Sequence, residues 1–133
     1  EGVKPVGVLN PYQKVEAETM SGSWGVKLDR LAGTLHYVTS IHNGDWIKLR
    51  QVDFGTKTPT ELIAQVLNIK HAGIVEFYLN ELGGRPFARI EVKDDKTITT
   101  KITAEATGIH DVYLLFRGGD EELFDLDYWQ LKN

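Results

Sequence analysis

The most constraining feature of this sequence is the alternation of apolar and polar side chains in short runs. In the clearest run, Ile47 and Leu49 share one side of the chain, while Trp46 and Lys48 share the other. A period of two residues is typical of a β-strand with one face in the core and the other in water. The run therefore predicts a fold built from half-buried strands.

This strand has distinct signals at both ends. Asn43-Gly44-Asp45 is a turn cluster directly before it. After Leu49 the parity changes, because Val52 and Phe54 become the apolar positions. We therefore expect a β-bulge or a bend near Gln51.

Comparable runs recur along the chain between glycine, asparagine and aspartate residues. Strands are predicted at residues 15–20, 34–41, 46–55, 73–82, 87–92, 97–103, 108–119 and 123–131. Residues 21–33, rich in glycine and serine, are predicted to be a loop. The apolar positions of residues 60–70 fit a helix nearly as well as a strand, and we favour the strand. Roughly eight or nine short strands predict an all-β sandwich, a jelly roll of two antiparallel sheets.

Composition limits the number of domains and the possible partners. The chain has 133 residues, room for one domain, and a net charge of −4 with acids and bases interleaved. Nucleic acid would require a basic face, so we expect none as a partner. No apolar run approaches membrane-spanning length, so we expect no membrane partner. The absence of cysteine excludes disulfides and thiolate metal sites.

The first residues are interpreted as part of a longer polypeptide. Residues 1–9 are predicted to be the remnant of a linker, and residues 10–133 the module itself. We expect this module to be monomeric.

The polar sides of several predicted strands combine aromatic, charged and amide groups. These positions are Trp46, Lys48, Glu76, Tyr78, Asn80, Tyr113 and Arg117. If the strands are neighbours, the side chains form a patch suited to sugars, whose C–H faces stack on rings while their hydroxyls need hydrogen-bonding groups. The alternative is an ordinary solvated sheet face supported by cross-strand pairs. The alternation alone leaves both interpretations open.

Signals for catalysis are weak. Four histidines are scattered without ligand spacing, and neither a G-x-S-x-G motif nor a phosphate-binding glycine loop is present. With 19 acidic residues, a carboxylate pair could be drawn almost anywhere. We expect no enzymatic activity, and an independent hydrolase remains only a third alternative.

A set of motifs, in order from Asn10 to Leu131, resembles the family 6 carbohydrate-binding modules. The motifs are Val15-Glu16-Ala17-Glu18, residues 43–46 and 52–55, residues 108–114 and 116–119, and residues 123–129. Asn10-Pro11-Tyr12 is most similar to modules attached to family 43 arabinoxylan-acting glycosidases. The resemblance implies a non-catalytic jelly roll, with residues 60–70 as a strand. It also implies a secreted parent glycoside hydrolase held on plant or algal cell-wall polysaccharide, such as xylan, arabinoxylan or β-glucan.

The resemblance also implies a structural calcium ion held by Glu16, Glu18 and Asp127. Carboxylates from the first and last strands would suit calcium, which takes six to eight oxygen ligands. Their spacing in the sequence does not itself show that they meet.

Two sugar sites are implied by the family. At the loop-end cleft, Ser40 replaces the usual first aromatic residue, no ring occurs between Phe87 and Tyr113, and Asp125 replaces an asparagine. Tyr37 or Trp24 could supply a platform there.

The second implied site lies on the concave sheet face. The family's tryptophan matches Trp46 and its glutamate matches Glu76, with Tyr78 and Lys48 as further candidates. We predict that sugar binding uses this face. The alternative is a structural spacer with degenerate sugar sites that packs on its parent enzyme.

Overall fold

The computed structural model describes residues 8–16, 20–31 and 35–133, with the backbone alone for residues 28–31 and 35–36. Its regular elements are β-strands, and this part of the chain contains no helix long and apolar enough to span a membrane. The strands are β1 (Val15–Glu16), β2 (Gly22–Trp24), β3 (Lys27–Leu31), β4 (Leu35–Thr39), β5 (Trp46–Asp53), β6 (Glu61–Leu67), β7 (Gly73–Leu79), β8 (Ala88–Val92), β9 (Thr97–Lys101), β10 (Ile109–Gly118) and β11 (Asp125–Lys132).

The strands form two antiparallel sheets. The five-stranded sheet has the order β2-β5-β10-β7-β8. The six-stranded sheet has the order β3-β4-β11-β6-β9, and β1 pairs with β11 beside this path. The predicted all-β sandwich of two antiparallel sheets is confirmed.

One detail of the sequence prediction changes. Residues 60–70 contain strand β6, as favoured, but the predicted loop at residues 21–33 is wrong because it contains β2 and β3. Both are sheet-edge strands: β2 pairs with β5, and β3 pairs with β4. An edge strand is held through backbone hydrogen bonds on one side only, so a short, polar sequence suffices to form it. The strand count rises accordingly.

The core lies between the sheets and is closed by aromatic contacts. Phe77 packs edge-on against Trp129, with ring centroids 5.5 Å apart, and Phe54 meets Phe87 at 5.3 Å. All four side chains are almost completely buried. Burying each large apolar side chain contributes about 1.5–3 kcal/mol, so alternation toward this core fixes which face of each strand points outward.

A β-bulge interrupts β5 at the predicted position. Val52 pairs with His110, but Leu49 pairs with Val112, so two residues of β5 oppose Asp111 alone. Gln51 has a positive φ of 53°, and its N–H donates to Asp111 Oδ1 at 3.1 Å. The bulge lets both Leu49 and Val52 reach the core, which explains the parity change.

The turn before β5 is organised by Asp45. Asp45 is 8% exposed, and its carboxylate accepts the His42 N–H at 2.8 Å. It also fills the space where a Cβ on Gly25 would stand. Gly25 has a φ of 85° and follows β2 directly, so one buried carboxylate fixes the end of β2 and the start of β5.

Candidate functional site

The structure places four of the predicted sugar-binding residues on the outer surface of the five-stranded sheet. Tyr113 of β10 lies opposite Lys48 on one side and Tyr78 on the other. Leu115 of β10 likewise lies between Trp46 and Glu76. We call this surface the aromatic face; its outward residues are Trp24, Trp46, Lys48, Glu76, Tyr78, Arg89, Tyr113, Leu115 and Arg117.

Trp46 is the half-buried ring at the centre of the β2–β5–β10 half of this face. Its ring meets Tyr113 edge to face, with centroids 5.7 Å apart. The Lys48 ammonium lies 5.4 Å from the Tyr113 centroid and 3.7 Å from Asp111 Oδ2. These contacts fix both rings, and a fixed, partly exposed ring is a suitable surface for stacking a sugar.

Glu76 is the hydrogen-bonding centre of the other half. Its Oε1 accepts from Arg117 Nε at 2.6 Å and from the Tyr78 hydroxyl at 2.9 Å. No described residue donates to Oε2. Burial tends to raise the pKa of Glu76, but the Arg117 and Tyr78 hydrogen bonds and the Arg117 charge lower it overall below its ordinary value. Glu76 is therefore an ionised acceptor at neutral pH with one oxygen available.

Tyr78 lies on the predicted side of β7, but it is only 4% exposed. Burial, together with its bond to the Glu76 carboxylate, raises the pKa of its phenol. A covered ring cannot present a stacking surface. Its hydroxyl orients Glu76, so the structure gives Tyr78 a positioning role in this face.

Tyr37 and Asp125 belong to the other sheet. Asp125 is 5% exposed, and its oxygens accept from Thr39 Oγ1 and Asn68 Nδ2, each at 2.8 Å. Tyr37 is two residues before Thr39 on β4 and therefore shares its side of the strand. The structure does not bring this pair to the aromatic face, whereas Trp24, the other suggested platform, lies on it opposite Trp46.

The implied calcium ligands Glu16 and Asp127 lie on paired strands. Glu16 of β1 is opposite Tyr128 of β11. The register between β11 and β6 slips between Leu126 and Tyr128, and both Leu126 and Trp129 are buried. Asp127 and Tyr128 therefore both point away from the core, on the side where Glu16 lies.

These two carboxylates suit calcium by chemistry, and the strands that carry them are paired. Burial raises the pKa of Asp127, and Lys14 only partly opposes this, so a bound cation would stabilise its ionised form. Glu18 lies outside the described residues. Within the described ranges, no group of three or more His, Cys, Asp or Glu residues could hold a metal ion.

Trp24 and Arg89 belong to the aromatic face but were not placed there from the sequence. Trp24 was assigned to a loop and suggested as a platform for the loop-end cleft. Arg89 was not considered, although it alternates with buried Ala88 and Ile90. Arg89 lies opposite Glu76 on β8, and its guanidinium is 3.4 Å from Glu91 Oε2. The alternation in β8 could have revealed Arg89, but Gly22-Ser23-Trp24 is too short to show a period.

Comparison with known proteins gives the family. A model of the carbohydrate binding module (family 6) matches residues 16–133. An arabinoxylan arabinofuranohydrolase of Bacillus subtilis is 33% identical over 141 residues, covering 97% of this chain and 27% of the relative. The enzyme of the same name from Paenibacillus polymyxa is 34% identical over 140 residues, covering 97% and 22%. The chain thus spans about a quarter of the length of these curated relatives.

Solved structures support the same family assignment. A family 43 arabinoxylan arabinofuranohydrolase from Bacillus subtilis, in complex with cellotetraose, superimposes with a TM-score of 0.87 at 33% identity, covering 99% of this chain and 29% of that one. A family 6 module from Clostridium cellulolyticum, in complex with xylose, gives 0.83 at 25% identity over 94% and 100%. A β-1,3-glucan-binding module from Bacillus halodurans, at 22% identity and 0.85 over 95% and 99%, shows the same fold. This chain belongs to the family 6 carbohydrate-binding modules.

Proposed function

We propose that this module is non-catalytic and holds an attached, secreted glycoside hydrolase on cell-wall polysaccharide, with xylan, arabinoxylan or β-glucan as the ligand class. The aromatic face carries the proposal, because it combines the half-buried Trp46 ring with a Glu76 oxygen that no described residue occupies. The relatives named as arabinoxylan arabinofuranohydrolases support the choice of ligand and of attached enzyme.

In the proposed complex, a pyranose ring stacks its C–H face on Trp46. A hydroxyl of the same chain donates to Glu76 Oε2, while Leu115 between them supplies apolar contact. Arg117 and Tyr78 already hold the carboxylate in place, so little side-chain freedom is lost on binding. Binding is therefore expected without rearrangement of the sheet.

We further propose that Glu16, Glu18 and Asp127 hold a structural calcium ion. Support comes from the placement of Glu16 and Asp127 on paired strands and from the burial of Asp127. The ion would neutralise these carboxylates and join the first strand to the last. It takes no part in sugar recognition.

The alternative function, a structural module packed on its parent enzyme, has one observation in its favour. Both Asp125 oxygens are engaged within the protein, so this residue offers no open acceptor at the loop-end region. This observation concerns the six-stranded sheet and leaves the aromatic face available.

Affinity electrophoresis in gels containing soluble arabinoxylan or mixed-linkage β-glucan tests the proposal. We expect the wild-type chain to be retarded by at least one polymer and Trp46→Ala to lose about tenfold in affinity. Ile109→Ala is the matched control, because Ile109 is also a large apolar side chain, 47% exposed, away from Trp46 and Glu76. The proposal fails if no polymer retards the wild type, or if Trp46→Ala is folded and binds normally.

A further inference from the structure

We propose that Trp24 is a second stacking platform beside Trp46, so that the aromatic face binds the interior of a polysaccharide chain lying across the strands. The inference rests on the proposed function and extends it. It specifies the direction of the ligand and the residue that makes affinity depend on ligand length.

The pairing of β2 with β5 places the two tryptophans on the same side of the sheet. Trp24 is directly opposite Trp46 in the antiparallel register. Directly opposite residues point to the same side of a sheet and have Cβ atoms about 4.5–5.5 Å apart. Trp24 is 66% exposed, and among the described residues Ile109 is the only other exposed large apolar side chain. An indole this exposed at a sheet edge contributes little to the core.

The start and end of these two strands are fixed by a common contact. Gly25 follows Trp24 directly and Asp45 precedes Trp46 directly. The Asp45 carboxylate occupies the position of a Cβ on Gly25, an approach that only glycine permits. The backbones that carry the two rings are therefore held together before any ligand binds, which lowers the entropic cost of using both rings at once.

The two rings begin a continuous row across the sheet. Successive register pairs carry the row through five neighbouring strands, in the order Trp24, Trp46, Leu115, Glu76 and Arg89. Four strand spacings of about 4.8 Å give the row a length of about 19 Å. Several pyranose rings in line fit this length. The chain would meet two indoles at one end, and a carboxylate and a guanidinium at the other.

A contact surface for a neighbouring domain is the other use of an exposed tryptophan. Such surfaces surround their aromatic anchors with further apolar side chains. The row instead changes from rings to charged and hydrogen-bonding groups, which is the combination that a sugar chain requires. We therefore assign Trp24 to ligand binding.

Titration calorimetry with di-, tetra- and hexasaccharides of the xylose and glucose series tests this assignment on the 133-residue chain. A disaccharide is expected to occupy Trp46 and the Glu76 side, where the hydrogen-bonding groups are. Trp24→Ala should leave disaccharide affinity within about twofold and lower hexasaccharide affinity about fivefold to tenfold. Trp46→Ala should lower both, Ile109→Ala neither, and Trp24→Phe should recover most of the hexasaccharide affinity.

Ligand protection gives a second measurement that needs no variant. N-bromosuccinimide oxidises exposed indoles, and Trp129 is only 1% exposed. Peptide mapping should show that hexasaccharide slows oxidation of both Trp24 and Trp46, whereas disaccharide protects Trp46 alone.

Four results would overturn the inference. If hexasaccharide protects Trp46 but not Trp24, or if Trp24→Ala binds every length normally while Trp46→Ala does not, only the second platform is refuted. Equal losses at every length in Trp24→Ala would refute the proposed ligand direction. If the wild type binds no saccharide, the proposed function fails as well.

Discussion

The Arg117–Glu76 pair makes a specific prediction about pH. Glu76 in the native protein has a pKa below its ordinary value of 4.5, although burial, the largest contribution, acts to raise it. Removing Arg117 leaves burial opposed mainly by the Tyr78 hydrogen bond. We therefore expect Arg117→Ala to raise the pKa of Glu76, so that acid protonates the carboxylate at a higher pH than in the wild type.

The direction of the stability effect follows from proton linkage. A carboxylate whose folded-state pKa is lowered adds stability that is fully present above its unfolded pKa, here 4.5, and is lost as pH falls through the lower folded value. The Arg117 side chain is 54% exposed and that of Glu76 is 17% exposed. Solvent screening at such a site limits the pair to about 0.2–1 kcal/mol. Arg117→Ala should therefore cost at most about 1 kcal/mol at neutral pH and almost nothing well below pH 4.

Sugar affinity measured by titration calorimetry between about pH 7 and pH 3.5 provides the test. The wild type should keep its affinity until the pH falls below 4.5, and the midpoint of acid loss should be higher in Arg117→Ala. Arg50→Ala is a matched control, because Arg50 is exposed on β5 and is not among the groups that shift the Glu76 pKa. Identical midpoints in Arg117→Ala and the wild type would refute the role given to this pair.

Four further outcomes are expected. Chelation of calcium should lower the melting temperature, since a bound ligand at a hundredfold excess over its dissociation constant adds about 2.7 kcal/mol to the free energy of unfolding. Asp127→Asn should remove this response to EDTA in differential scanning calorimetry. An unchanged wild-type melting curve, with protein shown to be metal-free, would contradict the site. Tyr37→Ala should bind arabinoxylan normally in affinity electrophoresis. If this variant folds but does not bind, the sugar site lies on the six-stranded sheet and the proposal is wrong. Asp125→Asn should retain binding but lower the free energy of unfolding, measured by urea denaturation, by about 1–3 kcal/mol. The reason is that one buried acceptor becomes a donor facing Asn68. Gly25→Ala should destabilise the fold, since φ is positive and the Asp45 carboxylate occupies the Cβ position; an unchanged melting temperature would contradict this contact.

The residues of the aromatic face were predictable where a strand has one side on the core. Alternation placed Trp46 and Lys48 on one side of β5 and Glu76 on the same outer face of β7, as the register shows. Alternation reports which way a side chain points, not how much its neighbours cover it, so the burial of Tyr78 did not follow from its parity. Side chains of neighbouring strands that are distant in the sequence bury Tyr78.

Asp125 shows a second limit of prediction from the sequence. Its hydrogen-bond partners, Thr39 and Asn68, are 86 and 57 positions away in the sequence. Only the order of strands within the six-stranded sheet brings them together. The family motif matched Asp125 to a ligand-binding position, but the motif carries no information about these donors. Trp24 was suggested as a platform for the other site, and its place on the aromatic face was not predicted because an edge strand of three residues has no measurable period.

The charged groups of the aromatic face are paired locally, and this pairing governs its response to salt. Lys48 lies beside Asp111, Arg117 beside Glu76, and Arg89 beside Glu91. The fields of opposite charges a few ångströms apart largely cancel at longer range, and salt screens what remains beyond the Debye length, which is about 8 Å at physiological ionic strength. The face therefore attracts no counterion layer that a ligand must displace. A neutral glycan should bind with nearly the same affinity in dilute buffer and in seawater-strength salt, and acidic polymers should gain no advantage from charge.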